Sequence, residues 1–194
     1  ARLARIVLAD SAHLQEEDSQ HANRHHFSRH RPALPLYGGD DAEQALSLFH
    51  VQPRGDRKVL ADDLSFVFSN AGHILGSNSI LMEKRMDEGE LPGGARSVSV
   101  LFSGDLGRQT PIYLRPKDAP PAADFVVCES TYGDKLHHDV EPIEELLAVI
   151  REVIDRKAVL VIPAFAVDRA QELIYCVNAL IRDRRIPAIP TYID

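Results

Sequence analysis

Three apolar, strand-like runs in this chain each end on one imidazole or carboxylate beside a glycine or another small residue. Residues 64–68 lead into Ser69-Asn70-Ala71-Gly72-His73, residues 98–102 into Ser103-Gly104-Asp105, and residues 125–128 into Glu129-Ser130-Thr131-Tyr132-Gly133. Function-bearing side chains gather where a rigid strand hands over to a loop. If the three ends share one edge of a sheet, an imidazole and two carboxylates meet there, a donor set suited to zinc or a hard cation. Singly, each has a plainer reading as a turn histidine or a capping carboxylate. The recurrence at three strand ends is what carries weight.

The rest of the chain supplies a frame for those ends. Leu64, Phe66 and Phe68 alternate with Ser65 and Ser69, which predicts a half-buried strand. Residues 79–84 and 97–102 read as two more strands, and the Gly- and Pro-rich stretch 87–95 between them as a hairpin turn. Upstream, the apolar patch Leu3, Ile6, Val7, Leu8 gives way to a polar, His-rich stretch. Residues 10–30 hold no Gly or Pro and read as a helix, ended by Pro32 and Pro35. Asp40 or Asp41 can cap a second helix carrying Ala42, Ala45, Leu46 and Phe49.

From residue 139 the rhythm changes. Pro142 opens a helix with Ile143, Leu146, Leu147, Ile150 and Ile154 on one face. Residues 158–163 form an apolar run of the kind buried in parallel sheets. Asp168 with Gln171 three residues on predicts a capping box, opening a helix faced by Leu173, Ile174, Val177 and Ile181. Residues 188–193 read as another strand. This helix–strand–helix–strand order marks a doubly wound α/β unit, with a boundary expected near residue 135.

Composition narrows the classes. Of 194 residues, 44% are hydrophobic and 26% charged, the balance of an ordinary globular protein. No apolar run approaches the roughly 20 residues that span a bilayer, so no membrane partner is expected. The net charge of −7 argues mildly against a nonspecific polyanion binder, but not against an enzyme that gathers phosphate at a bound cation. Cys128 and Cys176 are expected to be reduced core residues, which suits a cytoplasmic location.

Several longer stretches resemble one family in order along the chain. Ala71-Gly72-His73-Ile74-Leu75-Gly76-Ser77, Phe102-Ser103-Gly104-Asp105-Leu106-Gly107-Arg108 and Glu129-Ser130-Thr131-Tyr132-Gly133 resemble three successive motifs of β-CASP metallo-β-lactamases. Asp10-Ser11-Ala12, Gln15-Glu16-Glu17-Asp18, Pro163-Ala164-Phe165-Ala166-Val167, Arg169-Ala170-Gln171-Glu172-Leu173 and the closing Ile189-Pro190-Thr191-Tyr192-Ile193-Asp194 follow the same order. The form is that of RNA-processing members, bacterial RNA exonucleases and cleavage-and-polyadenylation nucleases. The fold implied is α/β: part of the metallo-β-lactamase αββα sandwich over residues 1–135, then the start of a doubly wound β-CASP domain over 136–194.

The resemblance implies zinc-dependent hydrolysis of RNA, with two zinc ions per complete active site. His73 matches a histidine that binds one zinc, and Asp105 the carboxylate that bridges both ions. Glu129 matches an acidic residue that orients a histidine thought to protonate the leaving group. A bridging carboxylate lowers the repulsion between two dications roughly 3.5–4 Å apart. A carboxylate behind an imidazole fixes its tautomer. Arg169 resembles the arginine of a Gly-Arg-x-Gln-Glu element, with Asp168 where glycine is usual; at a helix start it is a candidate phosphate contact.

The family's His-x-His-x-Asp-His string does not occur in the chain, and the matching position is expected upstream of residue 1. His73 and Asp105 are therefore an incomplete ligand set, and residues 1–194 alone are expected to be inactive internal pieces of a nuclease. A homo-oligomer of the full-length protein is compatible with this reading. The alternative is a catalytically silent homologue that binds RNA or a protein partner. A small-molecule metallo-hydrolase of the same fold fits less well, because it lacks the α/β segment after residue 135. His21, His25, His26 and His30 are expected to be an exposed polar helix face, His137 and His138 loop residues, and Tyr37 and Asp41 a turn and a cap.

Overall fold

The computed structural model describes residues 2–87, 97–136, 140–165 and 167–193. The backbone separates into two compact units, Ala1–Pro53 and Arg54–Asp194.

The first unit is two helices, α1 (Arg2–His25) and α2 (Gly39–Ser47). Helix α1 starts at the apolar patch rather than at residue 10, because nothing in residues 2–9 breaks a helix. Ala12, Ala22 and Ala42 are buried. The connection between the helices is fixed by polar side chains. Asn23 pairs with the backbone of Ala33 at both ends of its amide, donating at 2.8 Å and accepting at 2.7 Å. The Ser11 and Tyr37 hydroxyls meet at 2.5 Å, and the Glu16 carboxylate accepts from the Gly39 amide at 2.9 Å. Asp41 accepts from the Gly38 amide, also at 2.9 Å, and so closes the start of α2.

The second unit contains a five-stranded sheet in the order β1 (Lys58–Ala61), β2 (Leu64–Asn70), β3 (Asn78–Arg85), β4 (Ser97–Phe102) and β5 (Phe125–Val127). Strand β1 was not expected; its four residues follow a charged stretch and are too short to show a period. The first four strands pair antiparallel, and β5 joins β4 in parallel. Register places Phe68 beside Ile80, Ile80 beside Phe102, and Phe102 beside Val127. The turn expected at 87–95 falls largely outside the described residues, but the pairing it implies, β3 with β4, is present.

One consequence of this topology positions everything that follows. Two reversals separate β2 from β4, and β5 is parallel to β4, so all three run in the same direction. Their C-terminal ends therefore lie at one end of the sheet, which is where His73, Asp105 and Glu129 follow.

Helices α3 (Pro142–Asp155) and α4 (Arg169–Arg182) build a separate apolar cluster. Leu147, Ile150, Leu180 and Ile186 are its buried centre, with Ile143, Leu146, Ile154, Val177 and Ile181 packed around them. On α3 this is the face that helical spacing predicts; on α4 only Val177 and Ile181 of the expected face join the cluster, while Ile174 is exposed and Leu180 takes the buried position. The two strands expected beside these helices differ from expectation. Residues 158–163 and 188–193 contribute Leu160 and Ile189 to the cluster, yet neither segment joins a ladder among the described residues. Val159 and Val161 are 87% and 81% exposed. An apolar run records a demand for burial, whereas a strand also needs a neighbouring backbone to pair with. Cys176 is buried, but Cys128 is exposed, because it follows the uncovered edge strand β5; both thiols are free. No described helix is long and apolar enough to cross a membrane.

Candidate functional site

His73 sits in a turn that its own backbone closes. The Ser77 hydroxyl accepts from the His73 and Ile74 amides at 3.0 and 3.2 Å, and the Ala71 amide donates to the Ser77 carbonyl at 3.3 Å. Asn70, the last residue of β2, donates its side-chain amide to the Pro116 carbonyl at 2.8 Å. The imidazole is thereby delivered from a rigid turn.

Asp105 follows a second fixed turn. Gly104 takes φ +58°, and a Cβ there would stand 3.0 Å from the Asn78 carbonyl oxygen, so the position suits glycine on both counts. The Ser103 hydroxyl donates to the Gly104 carbonyl at 2.6 Å and accepts from the Glu129 amide at 3.0 Å. One hydroxyl thus ties the end of β4 to the end of β5. Beneath it, the buried Ser79 hydroxyl donates to the Ser103 carbonyl at 2.7 Å.

The two turns are pressed together at Gly107. Its amide donates to the Ala71 carbonyl at 2.9 Å, and its carbonyl accepts from Lys117 Nζ at 3.0 Å. A Cβ on Gly107 would overlap the Gly72 carbonyl oxygen. The contact exists because residue 107 has no side chain.

The result brings the three expected residues to one place. His73 Nε2 lies 3.9 Å from Asp105 Oδ2, and Glu129 Oε1 accepts from the Leu106 amide, next to Asp105, at 2.6 Å. The Leu106 amide, followed by the Thr131 hydroxyl, holds the Glu129 carboxyl below its ordinary range, with the nearby His73 adding a smaller pull. Glu129 is therefore a carboxylate at neutral pH. A depressed pKa means that its stabilising bond is present above the ordinary glutamate range and is lost as pH falls through the lowered value.

The donor chemistry fits a zinc site in part. One imidazole nitrogen and one carboxylate oxygen at 3.9 Å face each other, and both side chains are open to solvent. Zinc takes about four ligands. Among the described residues, no group of three His, Cys, Asp or Glu side chains is placed to hold a metal. The pair therefore offers two corners of a site and does not complete one.

Arg169 lies on a different feature. Its guanidinium donates to Glu172 Oε2 at 2.5 Å, while Glu172 Oε1 is 3.6 Å from Arg108 Nη1. The expected capping box does not form, since Asp168 makes no side-chain cap bond. Asp168 instead adopts φ +74° and ψ −62°, and the Arg169 amide donates to the Val167 carbonyl at 3.0 Å. This is a γ-turn of the strained, positive-φ kind, incompatible with the extended backbone of an N-cap. The Asp168 carboxylate accepts from the Tyr113 hydroxyl at 2.6 Å. Burial first, then that hydrogen bond, pushes the Tyr113 phenol up from 10.0 to about 12.

A glycine at 168 would relieve strain of about 1–3 kcal/mol and lose a charged hydrogen bond worth about 1.5–3 kcal/mol. Asp168→Gly is accordingly expected to shift folding stability by no more than about 2 kcal/mol. Tyr113 should then ionise below about 12 but still above 10.0, since burial, the larger cause, remains, as followed by ultraviolet titration. An unmoved titration would mean that Asp168 is not its partner.

The connecting residues Gly107, Arg108, Tyr113, Lys117 and Glu172 were not singled out by sequence. Only Glu172, three residues after Arg169, carried a local signal, since i, i+3 charges meet on a helix. The His21 and His25 rings meet at 4.3 Å, tilted by 48°, on the exposed face of α1, and among the described residues no third His, Cys, Asp or Glu joins them in a metal-holding group. His137 and His138 lie outside the described residues.

No family model matches the chain. It is, however, 33% identical over 162 residues to the protein named Ribonuclease TTHA0252 of Thermus thermophilus, an alignment covering 82% of this chain and 34% of that protein. It is 30% identical to an RNase J-like protein of Methanocaldococcus jannaschii, over 81% of this chain and 36% of the relative. With cleavage and polyadenylation specificity factor subunit 3 of Dictyostelium discoideum it shares 28% identity, over 81% and 19% respectively. The chain thus spans about a third of the length of the first two relatives and about a fifth of the third. The structure combines a mixed α/β fold with strand ends that bring an imidazole and two carboxylates together. The chain belongs to the metallo-β-lactamase-fold β-CASP family of RNA-processing nucleases.

Proposed function

We propose that the full-length protein hydrolyses phosphodiester bonds of RNA with zinc, in the cytoplasm, and that this chain contributes one side of the active site. Residues 1–135 then belong to the metallo-β-lactamase domain and 136–194 to the β-CASP domain. The single observation that supports this reading is the convergence of His73, Asp105 and Glu129 at one end of the sheet. RNA-directed chemistry is supported by relatives whose names denote ribonucleases.

In this reading His73, through a ring nitrogen, and Asp105, through its carboxylate, would help to hold zinc. Bound zinc lowers the pKa of a coordinated water to about 7. Glu129, held ionised by the Leu106 amide, keeps a negative charge beside the site that can orient an incoming imidazole.

The test is cleavage of single-stranded RNA by the full-length protein, before and after chelation and again after zinc is restored. Loss and recovery are expected. Cleavage that survives chelation would overturn the metal assignment, and RNA binding without any cleavage would favour the silent homologue. That second reading draws support from the absence of a three-donor group among the described residues. Residues 1–194 alone, with two donors, are expected to show no zinc-dependent cleavage.

Arg169 enters the same proposal as a phosphate contact. Its side chain is about half exposed beyond its bond to Glu172. Arg169→Ala is expected to weaken RNA binding by roughly three- to tenfold and to reduce the salt slope by about 0.7. An unchanged slope would confine Arg169 to its bond with Glu172.

A further inference from the structure

The Asp105 carboxylate is exposed, and among the described residues no hydrogen bond fixes it. Apart from the 3.9 Å approach of His73 Nε2, its direction is set by its backbone, so whatever anchors residues 104–108 controls where it points. Three anchors are backbone or lysine contacts: Leu106 to Glu129, Gly107 to Ala71, and Lys117 to Gly107. The fourth is of a different kind. Arg108, at the end of the turn, faces the nearly buried carboxylate of Glu172 on α4, which Arg169 also engages.

A carboxylate removed from water needs compensating cations, and losing one leaves the charge poorly satisfied. Glu172 has two, drawn from segments more than sixty residues apart. The Arg169 contact is local to α4 and explains nothing beyond the helix. The Arg108 contact is the one that reaches the Asp105 turn.

We infer that Glu172 is a positioning residue, which through Arg108 holds the Asp105 turn against helix α4. The inference rests on the nuclease reading only for its effect on cleavage; the mechanical claim concerns residues of this chain alone. It makes the helix that follows the strained turn at Asp168 part of the support for the site. A shift of α4 would be transmitted to Asp105 through one ion pair.

Glu172→Gln in the full-length protein keeps the shape and removes the charge. Amide hydrogen exchange at Leu106 and Gly107 is expected to accelerate by roughly tenfold, while amides of the β2–β3 ladder keep their rates. Arg108→Gln should produce the same local change. The double variant should add little to either single variant, because one link is broken in all three. In a protein that cleaves RNA, kcat should fall along with the faster exchange while KM stays within about twofold.

Unchanged exchange at Leu106 and Gly107 in both single variants would overturn the inference. So would acceleration spread evenly over the ladder, which would make Glu172 a support of the fold at large. If the wild-type protein does not cleave RNA, the nuclease reading fails while the exchange pattern still decides this one. Should Glu172→Gln not fold, Arg108→Gln, at a partly exposed side chain, decides it alone.

Discussion

Gly107→Ala is expected to separate the His73 turn from the Asp105 turn and to abolish most activity of the full-length protein. The added Cβ would overlap the Gly72 carbonyl oxygen and stand 2.8 Å from the His73 amide nitrogen. Both obstacles are backbone, so no rotamer change relieves them. Gly107 does not have a positive φ, so the damage is steric rather than conformational. Forcing a methyl group into a packed contact costs about 1–3 kcal/mol. The loss of the 2.9 Å bond from the Gly107 amide to Ala71 adds to that. Misplacement of a reacting group by about 1 Å costs roughly 10²-fold in rate. Thermal melting and RNA cleavage should therefore both fall, the second far more. A variant with wild-type values for both would show that the two turns do not touch as described.

Asp105→Ala is expected to spare stability and do worse to chemistry. The side chain is 75% exposed and fixed by no hydrogen bond among the described residues, so its removal should leave stability within about 0.5 kcal/mol. Groups that merely orient metal ligands cost about 10–100-fold when removed, so loss of a direct ligand should cost more, roughly 10³-fold. Metal content and RNA cleavage, measured beside melting, separate the two effects. Retention of roughly a tenth of the wild-type rate would remove Asp105 from the proposed metal centre. Together the two variants contrast a residue that builds the site with one that acts in it.

Much of this was legible from pattern, and the failures have physical causes. Strands β2, β3 and β4 and helices α3 and α4 were visible from their apolar pattern, and β5 was legible as a strand although its three residues are exposed. The three site residues were visible because strand ends and glycines mark where a chain leaves a sheet. Residues 158–163 and 188–193 were misjudged, since apolarity reports a wish for burial and not the partner that provides it. Cys128 was misjudged for the same reason, lying at an edge that no described strand covers. Asp168 followed the letter of a capping box, but the Tyr113 hydroxyl, 55 residues away in sequence, offered its carboxylate a better partner. Gly107, and Glu172 in its contact with Arg108, act through tertiary contacts, to which local spacing is blind.

The same alternation of strand directions that gathers three side chains also sets the opposite end of the sheet apart from them. Arg85 and Ser97, where β3 ends and β4 begins, face each other there. The seven steps along the eight residues of β3, at about 3.3 Å each, put that end roughly 23 Å from the other. A fluorophore attached at either position would report on RNA arriving at the far end by energy transfer without touching it. Tethering the protein to a surface through the same spot would leave the working end facing the liquid.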